Sequence, residues 1–199
     1  MDEQQLFRWL FIVIFVSTIS ISAYFRRQAR QSGEVIPRAQ EGWLILLARF
    51  LFAAPFYLSI FAYMIDPNWM AWSMLSLPLW LRGLGAVTGL ATVPLIYWVM
   101  ISIGKNISET FLTKENHALI THGPYRWVRH PLYAFATVGF VSLSIVAANW
   151  FILAMAFLLI VMMAIFVIPK EESQLVLKFG NQYRDYQRRT GKLIPRLRV

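Results

Sequence analysis

The residues best suited to chemistry stand at the two ends of an apolar hairpin. Residues 123–133 read GPYRWVRHPLY and lie directly before it, and Glu171 and Glu172 follow it. Because the two helices of a hairpin run antiparallel, both ends should return to the same membrane face. Ionisable groups held at a membrane boundary are costly, so a cluster of Arg, His and Tyr facing a carboxylate pair indicates a functional site.

The composition indicates an integral membrane protein of one compact domain. Hydrophobic residues make up 58% of the 199 residues, and the mean hydropathy is +0.53, whereas soluble domains contain about 45–50% apolar residues. The chain has no cysteine, which excludes disulfides and Cys-ligated metal sites. The three histidines lack a ligand-type spacing, so no metal is expected.

Five apolar stretches approach the roughly 20 residues that a membrane-spanning helix needs. We therefore predict an all-α integral membrane protein with about five transmembrane helices and an amphipathic, cytoplasmic helical tail at the C-terminus. Only Ala148 and Asn149 separate the last two stretches, which predicts a tight helical hairpin. The five stretches are residues 6–25, 43–65, 77–103, 132–147 and 150–168.

The distribution of basic residues predicts the orientation in the membrane. Segments 26–42, 104–130 and 170–199 hold 16 of the 19 Lys and Arg residues. By the positive-inside rule, the N-terminus lies outside and the C-terminus is cytoplasmic. The other three, Arg8, Arg49 and Arg82, are expected to snorkel from the span ends. The net charge of +9 then reflects topology and attraction to anionic membrane lipids, and no nucleic-acid partner is expected.

The chain divides into two parts. Residues 1–103 predict three helices that act as scaffold and contact lipid, whereas residues 104–199 contain nearly all the candidate polar site groups. This second part predicts a cytoplasmic loop, the transmembrane hairpin and the tail, which together form the site.

Local signals suggest how the second part is arranged. Pro131 suits the first turn of a helix, which places His130 near the N-cap, where free N–H groups favour an anion. Pro169 is expected to mark the end of the fifth span. Because neighbouring helical residues point about 100° apart, at most one of Glu171 and Glu172 should contact a ligand, and the other can pair with Arg or Lys. The alternative is an interfacial anchor of aromatic and basic residues.

Three runs in this order resemble one enzyme family. Residues 117–125 (HALITHGPY), 129–133 (RHPLY) and 169–172 (PKEE) resemble the isoprenylcysteine carboxyl methyltransferases and their relatives, the phospholipid N-methyltransferases. Residues 179–186 (FGNQYRDY) resemble the tail of the same family. The resemblance covers about residues 104–195.

The resemblance implies transfer of a methyl group from S-adenosylmethionine to a lipophilic acceptor at the cytoplasmic membrane face. The expected acceptor is a lipophilic small molecule or prenylated substrate that enters from the bilayer, as for a protein-S-isoprenylcysteine carboxyl O-methyltransferase. The resemblance also implies that Arg129 and Glu172 are catalytic residues. The implied cofactor-binding residues are His117, Gly123, Tyr125, His130, Pro131, Tyr133, Glu171 and Glu172.

Other functions remain open at this level. The isoprenylcysteine members carry an Arg shortly before the Glu pair, but residues 166–168 are uncharged, so the acceptor can be a carboxylate or an amine. A phospholipid N-methyltransferase of the phosphatidylethanolamine type is therefore one alternative. The others are a sterol-reductase-like membrane enzyme using a nicotinamide cofactor and a non-catalytic membrane partner. No Gly-rich loop follows a strand, which excludes a Rossmann-type cofactor domain.

Overall fold

The computed structural model describes residues 2–31, 42–107 and 118–196. His117, one of the expected cofactor-binding residues, lies outside the described residues. Seven α-helices occur in the described part of the chain, and the two isolated bridges there extend into no strand. The helices are α1 Glu3–Gln31, α2 Trp43–Ile65, α3 Leu79–Ile103, α4 Pro131–Ala147, α5 Trp150–Met162, α6 Ile168–Phe179 and α7 Asn181–Arg189.

The all-helical prediction is confirmed. Helices α1, α2 and α3 are each long and apolar enough to cross a membrane, as is the continuous helix Trp150–Phe179 that contains α5 and α6. Helix α4 is apolar but only 17 residues long. Its packing partner is mainly α3, and the two helices approach closely at Gly85, where an added Cβ would meet Ile145 of α4 at 2.8 Å. At Gly89 an added Cβ would meet Ile14 of α1 at 2.9 Å and Ser142 of α4 at 3.4 Å.

The tight hairpin between α4 and α5 is also confirmed. Ala148 adopts a left-handed conformation (φ 49°), and Asn149 caps α5 by accepting a hydrogen bond from the Ile152 N–H at 3.0 Å. The Asn149 amide also donates to the Ser73 hydroxyl at 2.8 Å. Ser73 ends a 3₁₀ helix, Pro67–Ser73, which follows α2. One buried amide therefore connects the hairpin turn to the α2–α3 connection.

The helix does not end at Pro169, where the fifth span was expected to leave the membrane. Residues Trp150–Phe179 form one helix of 30 residues, and Pro169 lies in the first turn of α6. A π-helical turn, Met163–Val167, immediately precedes it. A π turn skips a hydrogen bond of the α-helical ladder, so the helix can accept a proline that lacks the N–H donor.

Arg82, which its position near a span end would allow to snorkel, is instead paired inside the protein. Arg82 is buried, and its guanidinium donates to the Val146 carbonyl at 3.0 Å, pairs with Glu3 at 3.2 Å and lies over the Phe7 ring. Arg8 similarly donates to the Met64 carbonyl at 2.8 Å. Because the last carbonyls of a helix lack intrahelical partners, the C-terminal turns of α4 and α2 supply acceptors for these two arginines.

The predicted amphipathic tail is present as α6 and α7. Leu175 of α6 packs in a small buried cluster with Tyr183 and Tyr186 of α7, while the basic residues of α7 lie on its exposed side. The tail thereby folds back under the hairpin and reaches the segment that precedes α4.

Asn149 provides a test of how the hairpin is stabilised. Asn149→Ala removes the cap of α5 and the bond to Ser73, so we expect the free energy of unfolding to fall by about 1–2 kcal/mol. Thermal unfolding of the detergent-purified protein measures this change. Asn181→Ala, an exposed residue of the same type at the start of α7, is the control, and an equal effect of both substitutions would contradict the account.

Candidate functional site

Two anchors hold the segment that precedes α4. Asn106 forms a pair of hydrogen bonds with the backbone of Ala118, at 2.9 and 3.2 Å. Gly123 has a φ of 59°, and a Cβ there would meet the Ser102 hydroxyl of α3 at 2.6 Å. Its positive φ and this close contact with α3 both explain a glycine at this turn.

The tail forms a third anchor. The Tyr186 hydroxyl of α7 donates to the Tyr125 carbonyl at 2.6 Å. Burial raises the pKa of Tyr125, with a further increase from the nearby Glu171 carboxylate, and burial also raises the pKa of Tyr186. Both phenols therefore stay protonated at physiological pH, and Tyr186 remains a hydrogen-bond donor.

The observed start of α4 agrees with the start predicted from the sequence. His130 is the N-cap and Pro131 occupies the first turn, so these two predictions are confirmed. The His130 side chain is buried and makes no capping bond of its own to the helix. Its backbone N–H donates to the Lys192 carbonyl at 3.0 Å, and the preceding Arg129 N–H donates to the Gly191 carbonyl at 2.8 Å.

Glu172 is the centre of an ionic network that joins α6, the start of α4 and the tail. Its Oε1 atom accepts from Arg129 Nε at 2.7 Å and lies 3.2 Å from His130 Nε2. The Arg129 guanidinium also donates to the carbonyls of Gln187 and Thr190. Because both charged side chains are about nine-tenths buried, the guanidinium and the carboxylate neutralise each other in a largely water-free setting.

Glu171 points in a different direction. Its side chain is 31% exposed and lines a large cavity, and its Oε2 atom lies 3.8 Å from His130 Nδ1. That distance is too long for a hydrogen bond, and this buried oxygen accepts none from any residue that the structure describes. The Tyr133 hydroxyl is a neighbour of the same carboxylate. The two adjacent glutamates therefore diverge as expected: Glu172 pairs with Arg129, and Glu171 faces the cavity.

The large cavity has a volume of about 550 Å³. Five of the expected site residues line it, whereas Gly123, Pro131 and Glu172 do not. The lining residues from the expected set are Tyr125, Arg129, His130, Tyr133 and Glu171.

Sequence analysis missed the contribution of the first two helices. Arg26 of α1, with Arg49 and Tyr57 of α2, lines the same cavity, and so does Tyr183 of α7. For Arg49 a signal was present, because an arginine within an apolar helix is costly unless it faces a partner or a polar cavity. No comparable pattern distinguishes Tyr57 or Tyr183 from packing residues.

A smaller apolar chamber of about 170 Å³ adjoins the large cavity between α1, α3, α4 and α5. The two volumes share wall residues, among them Arg26, Tyr57 and Tyr133. Together they form one amphiphilic space with a polar end near Glu171 and an apolar end among the helices.

The part of the chain that forms most of this site matches a known protein family. A family model described as phospholipid methyltransferase matches residues 78–182, which extend from the start of α3 into α7. The chain belongs to the phospholipid methyltransferase family. The matched range contains the Arg129–Glu172 ion pair and Glu171.

Several proteins of known name are similar to part of the chain. The protein-S-isoprenylcysteine O-methyltransferase of Tribolium castaneum is 30% identical over 118 residues, which are 58% of this chain and 42% of that protein. The nickel-cobalt-cadmium resistance protein NccN of Alcaligenes xylosoxydans xylosoxydans is 32% identical over 109 residues, 54% of this chain and 51% of that protein. The chain thus spans about half the length of these curated relatives.

A solved structure shows the same fold. The eukaryotic intramembrane Ras methyltransferase ICMT (isoprenylcysteine carboxyl methyltransferase) superposes with a TM-score of 0.53 at 22% identity, over 94% of this chain and 67% of that chain. With the four long apolar helices, this likeness identifies the chain as an integral membrane protein. The resemblance noted from the sequence is confirmed.

The divergence of the two glutamates generates a prediction. Glu172→Gln removes the charge that holds Arg129, so we expect the Arg129 and His130 backbone amides, bonded to the tail carbonyls, to exchange hydrogen about tenfold faster. Glu171→Gln should leave their exchange unchanged. Hydrogen–deuterium exchange on peptides covering 126–132 measures both variants, and equal exchange rates in the two would argue against Glu172 as the centre of the network.

Proposed function

We propose that the chain is an S-adenosylmethionine-dependent methyltransferase that acts on a lipophilic acceptor at the cytoplasmic membrane face. The observation that carries this proposal is the buried, unbonded oxygen of Glu171 at the polar end of an amphiphilic cavity. A buried carboxylate oxygen without a donor is costly, so a cationic ligand group explains it. The family membership supports methyl transfer as the reaction.

The residues of the polar end fit the cofactor. Glu171 would hold its ammonium group, and His130 with the N–H groups of the first turn of α4 would hold its carboxylate. Tyr125 and Tyr133 line the same cavity and offer ring faces to the adenosine. Cofactor binding by three further residues stays a prediction from the motif: His117 lies outside the described residues, and Gly123 and Pro131 do not line the cavity. When bound, the cofactor supplies an activated methyl group on a sulfonium.

Arg129 and Glu172 act in this proposal as positioning residues. Their ion pair at 2.7 Å fixes the start of α4 against α6, and this in turn sets the positions of His130 and Glu171. Methyl transfer requires chiefly that the reacting groups be close and aligned, so a rigid frame around the cavity is the main catalytic contribution of the chain. The aromatic and aliphatic walls exclude water.

The apolar chamber is the proposed site of the acceptor's tail. Its volume of about 170 Å³ lies between helices and merges with the polar cavity, so a lipid can reach the cofactor from the bilayer. By the positive-inside rule, the basic segments support a cytoplasmic location for this end of the helices, with the N-terminus outside. A prenylated carboxylate and a phospholipid amine both fit a space of this kind.

Binding of S-adenosylhomocysteine tests the function. We expect the detergent-purified protein to bind it saturably in calorimetry, and Glu171→Gln to weaken binding at least about tenfold because the ammonium loses its counter-charge. Asp185→Asn, which removes an exposed carboxylate on α7, should bind normally. A well-folded wild type that does not bind would end the methyltransferase proposal.

The apolar chamber can be filled by mutation. Ala136 lines it, so Ala136→Phe should weaken binding of N-acetyl-S-farnesylcysteine by about tenfold or more, because each CH₂ kept out forfeits about 0.8 kcal/mol. Affinity for S-adenosylhomocysteine should not change. Val138→Phe on the exposed side of α4 is the matched control. Unchanged farnesylcysteine binding in Ala136→Phe would place the tail elsewhere.

A further inference from the structure

Two arginines from the first two helices reach the cavity. Arg26 lies in the last two turns of α1 and Arg49 in the first two turns of α2, and both side chains line the large cavity. Arginine within an apolar helix is costly, and such residues commonly face a bundle interior and mark a ligand path. Arg82 illustrates the structural alternative, since it is buried away from both cavities among carbonyl and carboxylate acceptors.

The two arginines lie close to the aromatic residues at the centre of the cavity. Arg49 is within electrostatic range of Tyr133 and Glu171, and Arg26 is within range of Tyr57 and Tyr133. The Arg26 Nε atom donates to Ser22 of its own helix at 3.1 Å, and Ser22 also lines the cavity. Tyr133 is therefore within electrostatic range of a carboxylate on α6 and of two guanidinium groups, one on α1 and one on α2.

Arg26 lies where the two volumes meet. It lines both the large cavity and the apolar chamber, as do Tyr57 and Tyr133. An amphiphile with its tail in the apolar chamber would leave its headgroup at this junction. The headgroup would then be next to guanidinium groups, which bind planar or tetrahedral oxyanions through paired hydrogen bonds.

We propose that Arg26 and Arg49 form an anion-binding subsite for the headgroup of the lipid acceptor. This inference rests on the proposed function and narrows its substrate class to amphiphiles whose headgroup contains an oxyanion. The recognised group is a carboxylate or a phosphate: either the free carboxylate of a prenylated cysteine, or the phosphodiester of a phospholipid whose amine is methylated. Glu171 would receive the cationic group of the cofactor, and the arginines would receive the anion of the acceptor.

Paired lipids, of which one member carries a headgroup oxyanion and the other does not, test the subsite. One pair is N-acetyl-S-farnesylcysteine and its carboxamide; the other is phosphatidylethanolamine and diacylglycerol with the same acyl chains. Binding to detergent-purified protein is measured for wild type, Arg26→Gln and Arg49→Gln. Arg27→Gln, an exposed neighbour on α1, is the control, and S-adenosylhomocysteine affinity is measured in every variant.

We expect the wild type to prefer the oxyanion-bearing member of one pair by about tenfold or more, and the pair that shows the preference identifies the source of the oxyanion. Arg26→Gln and Arg49→Gln should remove the preference. In both variants the S-adenosylhomocysteine affinity should stay within about twofold of wild type, and the unfolding midpoint within a few degrees. Arg26→Lys should keep part of the preference, because the charge remains. Arg27→Gln should behave as wild type.

Three results would overturn the subsite. One is the absence of a charge preference in both lipid pairs, and another is a preference that persists in both glutamine variants. The third is loss of S-adenosylhomocysteine binding in Arg26→Gln or Arg49→Gln, which would assign the arginines to the cofactor. A wild type that binds no S-adenosylhomocysteine but shows the lipid preference would instead refute the methyltransferase proposal and leave the anion subsite standing.

Discussion

The ion pair between Arg129 and Glu172 is the interaction on which the rest of the site depends. One guanidinium contacts a carboxylate on α6 and two backbone carbonyls at and beyond the end of α7, so it joins the start of α4 to segments that lie 43 to 61 residues further along the chain. Removing one member of a largely buried pair leaves an uncompensated charge, so the two side chains stabilise the site only as a pair. Only with this frame in place does the adjacent Glu171 carboxylate face the cavity.

The second constraint is the register of the long helix that contains α5 and α6. The π turn at Met163–Val167 lies between the apolar part of this helix and the glutamates. Such a turn changes the angular position of every later residue relative to a regular α-helix. Ala164, Ile168 and Glu171 all line the cavities despite this change, so the continuous helix presents one face to the ligand space from the apolar chamber to the polar end.

The amphiphilic character of the cavity follows from how the helices pack and from which helices contribute polar side chains. Helices α3 and α4 approach closely at glycines, which leaves the wider space between α1, α2 and the start of α4. Polar groups reach that space from α1, α2, α4 and α6. One end of the space is ionic and the other is apolar, which suits the proposed cofactor with its separated charges and the proposed acceptor with its apolar tail.

The sequence by itself determined the helical membrane class, the hairpin at Ala148 and Asn149, and the start of α4 at His130 and Pro131, because hydrophobic length, turn residues and proline act locally. The motif order also indicated which polar residues belong together. Only the tertiary structure decided which glutamate pairs with Arg129, because a register shifted by a π turn cannot be read from residue spacing. It also showed that Arg26 and Arg49 line the cavity and that Gly123 and Pro131 do not. Those positions depend on packing between distant helices, which no local pattern encodes.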